Sequence, residues 1–295
     1  MMRDISVIIP FYNGNRWLER ALQSVVAQDG VAVEIIVVDD GSAEPPDPAL
    51  VARYGGQAFF ETIPHAGKGA AINAGAARAT AQFLCILDQD DPMLPGRLAA
   101  QLAALRSEER PDAVYSDFER RSADGTLLDV FTSRPATREE HLHAFALNRS
   151  FFSMQTITLT RDIFARTGGF STDIRLTGID DSEFFVRLLA CGARLMYVPG
   201  VLGSWTSHEA NYSKSAAFHD TRLVYLQHLR ALAETYPEVR RELPVFAASI
   251  YLMRGLFCLE HGDPRAARRE LRLALQNRFT FNLLYLFCKA CVTAS

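Results

Sequence analysis

Phe83-Leu84-Cys85-Ile86-Leu87-Asp88-Gln89-Asp90-Asp91 is an apolar run of five that breaks into three acids in four positions. A continuous apolar run of this length fits a strand buried on both faces. The same design recurs upstream. Ile5-Ser6-Val7-Ile8-Ile9 stops at Pro10, and Glu34-Ile35-Ile36-Val37-Val38 stops at Asp39-Asp40-Gly41-Ser42. Ala58-Phe59-Phe60 is a shorter strand candidate between them and residue 83. Helical patterns separate these runs. Trp17, Leu18, Ala21, Leu22, Val25 and Val26 recur at helical spacing, with Asn13 or Asn15 available as the cap. Residues 67–81, rich in Ala and Gly, read as a closely packed helix. Strand–helix–strand alternation predicts a mostly parallel, Rossmann-like sheet with helices on both faces. Crossovers in such sheets are right-handed, and ligands bind at the carboxyl ends of the strands. With strand order 3-2-1-4, Pro10-Phe11-Tyr12 and Asp88–Asp91 become neighbours, with Asp39-Asp40 close by.

Further along, a helix is expected from Pro95 to Arg106 and a strand at 113–115. Asp124-Gly125 is a turn signal between residues 118–121 and 127–130, which predicts a hairpin. Residues 157–159 form another strand candidate. Gly168-Gly169-Phe170 opens a loop toward Gly178-Ile179-Asp180-Asp181, followed by the helical stripe Phe184, Phe185, Leu188 and Leu189. Residues 195–198 are expected to be a strand stopped by Pro199-Gly200. From about residue 215 only helical patterning remains. His261-Gly262-Asp263-Pro264 reads as a tight turn with Asp263 as N-cap and Pro264 at the first helical position. The sequence thus divides into an α/β domain, residues 1–214, and an all-helical extension, residues 215–295.

The 295 residues suit one large domain with an appendage. A net charge of only −3 gives no case for nucleic-acid binding. The charge is uneven, however: residues 1–214 carry 20 basic and 27 acidic side chains, and the remainder 11 and 7. Five scattered cysteines (85, 191, 258, 288 and 291) are expected to be buried free thiols of a reducing compartment. Cys288-Lys289-Ala290-Cys291 has no second pair to complete a zinc site. The five-residue apolar run before Pro10 is too short for a signal peptide, and no uninterrupted stretch reaches membrane-spanning length.

Asp88, Asp90 and Asp91 stand too close together to ionise without a compensating charge. Carboxylate oxygens suit Mg²⁺ or Mn²⁺ shared with substrate phosphates, and the alternative is a solvated turn ahead of the next helix. Asp39-Asp40 fits either a base- or ribose-binding carboxylate or an Asp-Gly turn. Asp180-Asp181 fits either a general base or helix N-capping. His208, in the segment 205–213, is either a surface residue or a side chain that reaches the metal or diphosphate. Asp88-x-Asp90 also suggests a haloacid-dehalogenase loop, but Pro92 stands where Thr or Val belongs. Gly67-Lys68-Gly69 imitates a dinucleotide fingerprint, but Ile72 replaces the third glycine. No P-loop occurs.

The order of motifs resembles the family 2 inverting glycosyltransferases of GT-A fold. The matching stretches are Ser6–Asn13, Val37–Ser42, Lys68–Gly75, Leu87–Leu98, Gly168-Gly169-Phe170 and Gly178–Leu188, and the resemblance covers about residues 4–213. It implies a nucleotide-sugar site made of Pro10, Phe11, Tyr12, Asp39, Asp40, Lys68, Asp88 and Gln89. It implies Asp90 as ligand of Mn²⁺ or Mg²⁺, with Asp91 as the alternative and His208 in reach. It implies Asp181 as catalytic base, with Asp180 where the family usually has Glu. Thr206 departs from the family, where Arg often precedes the loop histidine. The implied reaction is a single inverting displacement from a nucleoside-diphosphate sugar, a UDP-sugar first, to a hydroxyl of a glycan or lipid-linked acceptor. The implied setting is cell-surface polysaccharide synthesis in the cytoplasm or at the inner face of a membrane. A sugar-phosphate nucleotidyltransferase would carry a Gly-rich, Arg/Lys-bearing loop after the first strand, and residues 10–15 are not one. A non-catalytic glycan-binding protein has no need of both Asp90 and Asp181. The basic tail is expected to pack on the catalytic core or on a second copy in a homo-oligomer. The other option is peripheral contact with an anionic membrane.

Overall fold

The computed structural model describes residues 3–209, 211 and 217–293. The chain forms two compact units: Met1–Arg138 with Phe151–Asn211, and Glu139–Ser150 with Tyr212–Ser295. The expected boundary at 214/215 lies outside the described residues.

In the first unit the elements run β1 (Ile5–Phe11), α1 (Asn15–Val26), β2 (Val33–Asp39), α2 (Pro48–Tyr54), β3 (Ala58–Thr62), α3 (Lys68–Arg78), β4 (Phe83–Ile86), α4 (Arg97–Leu105), β5 (Ala113–Ser122) and β6 (Leu127–Phe131). After α5 (Arg138–Ala146), which falls almost wholly in the second unit, come β7 (Thr158–Thr160), α6 (Arg161–Thr167), α7 (Asp180–Ala190) and β8 (Leu195–Ser207). The sheet order is β3-β2-β1-β4-β7-β5-β6, with β8 on β5. The β3, β2, β1, β4 half is parallel and in the expected order. Beyond it β7 runs antiparallel to β4 and β5, and β8 runs parallel to β5. β1 is buried along all seven residues, as a central parallel strand requires. On one face α1 lays Leu18, Leu22 and Val25 into the same cluster as Val7, Ile9 and Val37. On the other, α3 approaches so closely that a Cβ on Gly75 would stand 2.5 Å from Ile8 Cγ2. This explains the small-residue composition of α3.

Two local expectations are corrected. Neither Asn13 nor Asn15 caps α1; the N-cap is Gly14, without a side-chain bond. Asn13 Oδ1 instead accepts from the Glu44 N–H at 3.0 Å and Asn15 Oδ1 from the Asp47 N–H at 2.9 Å, so both asparagines pin the 42–47 loop. Pro199-Gly200 does not stop β8. The β5–β8 register shifts between Tyr115 and Phe118, and this bulge absorbs the proline and lets the strand run on to Ser207.

The second unit contains α8 (Ala217–Thr235), α9 (Pro237–Glu260), α10 (Pro264–Asn277) and α11 (Phe281–Thr293), together with α5. His143 Nδ1 on α5 lies 2.7 Å from Glu242 Oε2 on α9. Asp263 caps α10 as expected, accepting from the Ala266 N–H at 2.9 Å. By length and composition α9 meets the requirement for a membrane span, contrary to the expectation from uninterrupted runs, with a mean hydropathy of 1.4 over an 18-residue window. It also carries Arg254, paired with Asp220 and Glu270 of the same unit. All five cysteines are free, but only Cys85 is fully buried and Cys288 is exposed.

Candidate active site

The loop after β4 holds its four residues by four separate devices. Asp88 Oδ1 lies 2.6 Å from Lys68 Nζ, at the first turn of α3. The Gln89 amide pairs with the end of β1: Oε1 accepts from the Tyr12 N–H at 2.9 Å and Nε2 donates to the Tyr12 carbonyl at 3.2 Å. Gly14 leaves room for this, since a Cβ there would sit 2.3 Å from the Gln89 amide carbon. Asp90 turns its Oδ2 to His208 Nε2 at 2.8 Å. The Asp90 carbonyl accepts from Arg20 Nη2 at 2.9 Å and from the Thr206 hydroxyl at 2.6 Å.

Asp91 is turned to other partners. It is buried, and its two oxygens accept from Gln155 Nε2 at 2.6 Å and from the Thr206 N–H at 2.7 Å. Burial, followed by the charges of Asp90 and Asp88, pushes its carboxyl well above the usual range. Both oxygens of Asp91, the alternative ligand, are thus already taken by protein donors. Among the described residues no three His, Cys, Asp or Glu side chains group closely enough to hold an ion by themselves. Asp90 and His208 remain as a facing carboxylate and imidazole, a donor pair suited to Mn²⁺ with diphosphate and water completing the shell. His208 is held flat on Trp17, 4.8 Å between ring centres and 20° apart, and its Nδ1 is buried without a partner. Asn211 secures the loop: its Oδ1 accepts from the His208 N–H at 2.7 Å. The last two residues of the 205–213 segment, Tyr212 and Ser213, lie outside the described residues.

At the ends of β1 and β2, Phe11 is fully buried in the core, and its carbonyl accepts from the Asp40 N–H at 2.9 Å. Pro10 is buried as well, so Tyr12, 46% exposed, is the one member of that trio that offers its ring. Tyr12 stacks on His65 at 4.6 Å. Asp39 accepts from the Ser42 N–H at 3.0 Å. Asp40 is fully engaged in shaping the loop before α3, accepting from the N–H groups of Ala66 at 2.8 Å and Gly67 at 2.9 Å and lying 2.9 Å from His65 Nδ1.

Asp180 and Asp181 stand in the first turn of α7. Asp180 is buried, and its Oδ2 has no partner. It lines a small open cleft with Gly67, Lys68 and Gly69 at the start of α3 and residues 171–174. Asp181 Oδ1 accepts from the Ser182 N–H at 2.6 Å. Burial, then the charge of Asp180, raises the Asp181 carboxyl to about 6 against the opposing pull of Lys68. Burial disfavours the Lys68 charge, but Asp88, Asp180 and Asp181 more than offset this and hold its proton far above the ordinary lysine range. One cation thus stands among three carboxylates. Glu183 and Arg187 anchor α7 beneath them: the guanidinium grips Glu183 and donates to the carbonyls of Thr167 at 2.6 Å and Gly169 at 2.7 Å.

From the sequence, no site role fell to Arg20, Trp17, Gln155 and His65. Arg20 and Trp17 share one face of α1, three residues apart, which is the only sequence signal they give.

Residues 6–172 match the profile of the family described as Glycosyl transferase family 2. The succinoglycan biosynthesis protein ExoO of Rhizobium meliloti is 28% identical over 243 residues, which are 78% of this chain and 66% of that protein. The chain spans between 55% and 66% of the length of three curated relatives it matches. Among solved structures, S. aureus TarS 1-349 in complex with UDP-GlcNAc superposes with TM-score 0.69 at 15% identity, covering 98% of this chain and 89% of that one. The mannosyltransferase PcManGT from Pyrobaculum calidifontis, in complex with GDP-Man and Mn²⁺, gives 0.61 at 21% identity over 100% and 81%. Those two likenesses establish the fold. Sequence match over more than half of the chain, on that fold, makes this protein a member of glycosyl transferase family 2.

Proposed function

We propose that this chain transfers a glycosyl group from a nucleoside-diphosphate sugar to a hydroxyl of a glycan or lipid-linked acceptor, with inversion and with the help of a divalent cation. The observation that carries the reading is the grouping of Asp180 and Asp181, at the start of α7, with the Lys68–Asp88 pair, in a loop whose Asp90 faces His208; burial raises the Asp181 carboxyl to about 6. Tyr12 and Asp39 receive the nucleoside, and Gln89 locks the metal-binding loop to Tyr12. Lys68 neutralises Asp88 and keeps the pocket from repelling a diphosphate. Arg20, on the Thr206 hydroxyl at 2.7 Å, brings a cation to the position where the sequence lacks the family's usual Arg. Asp90 and His208 would hold Mn²⁺ or Mg²⁺, which when bound stabilises charge growing on the leaving diphosphate. Asp181 accepts the acceptor hydroxyl's proton as that oxygen attacks, and Asp180 Oδ2 receives a hydroxyl of the sugar or acceptor. No enzyme nucleophile takes part. ExoO's role in succinoglycan biosynthesis supports a polysaccharide product, and the UDP-GlcNAc complex of TarS supports a UDP-sugar as first donor to try. The test is turnover of nucleotide sugars with Mn²⁺ by wild type and Asp181→Asn. Equal rates would remove Asp181 from the role of base.

A further inference from the structure

We propose that α10 and α11 form a docking surface for an anionic lipid bilayer. In α11 the inner face, Leu283 and Ala290 with Leu286 and Phe287 beside them, packs against Ala267, Leu271 and Ala274 of α10. The opposite face is also apolar. Phe281, Leu284, Tyr285 and Cys288 recur three and four residues apart and so form one stripe. Phe281 is 83% exposed, Tyr285 65% and Leu284 37%, and Phe279 just ahead of the helix is 62% exposed. A helix half buried and half uncovered, yet apolar on both halves, leaves large rings facing water within this unit.

The surrounding charge selects the occupant. From Pro264 to Thr293 the basic side chains are Arg265, Arg268, Arg269, Arg272, Arg278 and Lys289, and the single acid is Glu270. Glu270 is buried and already paired with Arg254 at 3.2 Å and Arg269 at 3.0 Å, so within residues 264–293 no acid faces outward; the nearest is the exposed cap Asp263, at the far end of α10 from Arg278. Arg265, Arg269 and Arg272 share one exposed face of α10. Arg272 lies over the Phe287 ring at 6.0 Å, and Lys289 is exposed next to Cys288 of the stripe. Exposed aromatic rings on a helix pair whose charge is predominantly cationic match a bilayer interface with anionic headgroups, where rings enter the acyl boundary and cations gain from the surface potential. A second copy of this surface would oppose cation to cation.

The experiment is co-sedimentation of the full chain with vesicles of phosphatidylglycerol and phosphatidylcholine in equal parts, against phosphatidylcholine alone, at low and high salt. Binding is expected on the anionic vesicles and is expected to weaken with salt. Phe281→Ser with Tyr285→Ser should weaken it at least about tenfold. Arg265→Gln with Arg278→Gln should weaken it by about fivefold per charge removed. Circular dichroism and hydrolysis of a soluble donor, both unchanged in these variants, show that the fold and the transferase site are intact and keep this outcome separate from the enzymatic reading. Equal binding to both vesicle types overturns the proposal, as does binding that survives the serine substitutions. Self-association abolished by those substitutions, without vesicle binding, assigns the stripe to a second copy and also overturns it.

Discussion

Asp181→Asn separates the chemistry of the base from the stability of the fold, because the same burial that raises its carboxyl to about 6 also opposes its ionised form. A rise from 3.8 to about 6 corresponds to about 3 kcal/mol of folded-state cost once the group is ionised. Partial exposure and the N-terminal end of α7 reduce that to about 1–2 kcal/mol. The folded chain holds the proton more tightly than the unfolded chain does. Acid therefore favours the folded state, and the advantage is lost as pH rises through about 6. Asparagine is neutral throughout and keeps the carbonyl that accepts from the Ser182 N–H. Thermal melts of metal-free protein should show the two chains equally stable below the unfolded carboxyl value. Above pH 6 the variant should be the more stable, by about 2–4 °C per kcal/mol for a unit of this size. At neutral pH the variant should turn over about a hundred- to ten-thousandfold more slowly. Wild-type kcat/KM should climb about tenfold per pH unit below 6 and flatten above it. A variant less stable than wild type above pH 6, or a gap that ignores pH, would refute the reasoning.

Other perturbations probe the remaining parts. Asp90→Ala and His208→Ala should each weaken Mn²⁺ binding by about tenfold or more, read by titration of Mn²⁺ in the presence of a nucleoside diphosphate; unchanged affinity in both would assign the ion elsewhere. Arg20→Met keeps the length of the side chain but removes its bonds to the Asp90 carbonyl and Thr206, so urea unfolding should report a loss of about 2 kcal/mol. Gly14→Ala should displace the Gln89 amide from Tyr12, raising the donor KM several-fold while the melting temperature changes little, because the group that must move is the end of a flexible side chain.

The parallel half of the sheet was legible because burial on both faces leaves unbroken apolar runs, and β1, β2 and β4 have them. The placement of Asp88–Asp91 beside Tyr12 then followed from strand order alone. What the sequence did not show was whatever depends on a partner distant along the chain. Pro199-Gly200 is a stop by local chemistry, and only its pairing with β5, more than eighty residues earlier, turns it into a bulge. Asp91 has the same residue type and setting as Asp90. Gln155 and the Thr206 N–H turn its oxygens inward, and neither is visible from residue 91. Thr206 is the most instructive position. As a single site it looks like a lost cation. In the fold its short hydroxyl is the acceptor for Arg20, which reaches in from α1 and lies 5.4 Å from the Trp17 ring that carries His208. An arginine at 206 would meet the Arg20 guanidinium head-on, so the two positions are exchangeable only together. Arg20→Leu with Thr206→Arg should accordingly restore more Mn²⁺-dependent donor binding than either single change. Failure of that rescue would mean that Arg20 supports the loop without serving the diphosphate.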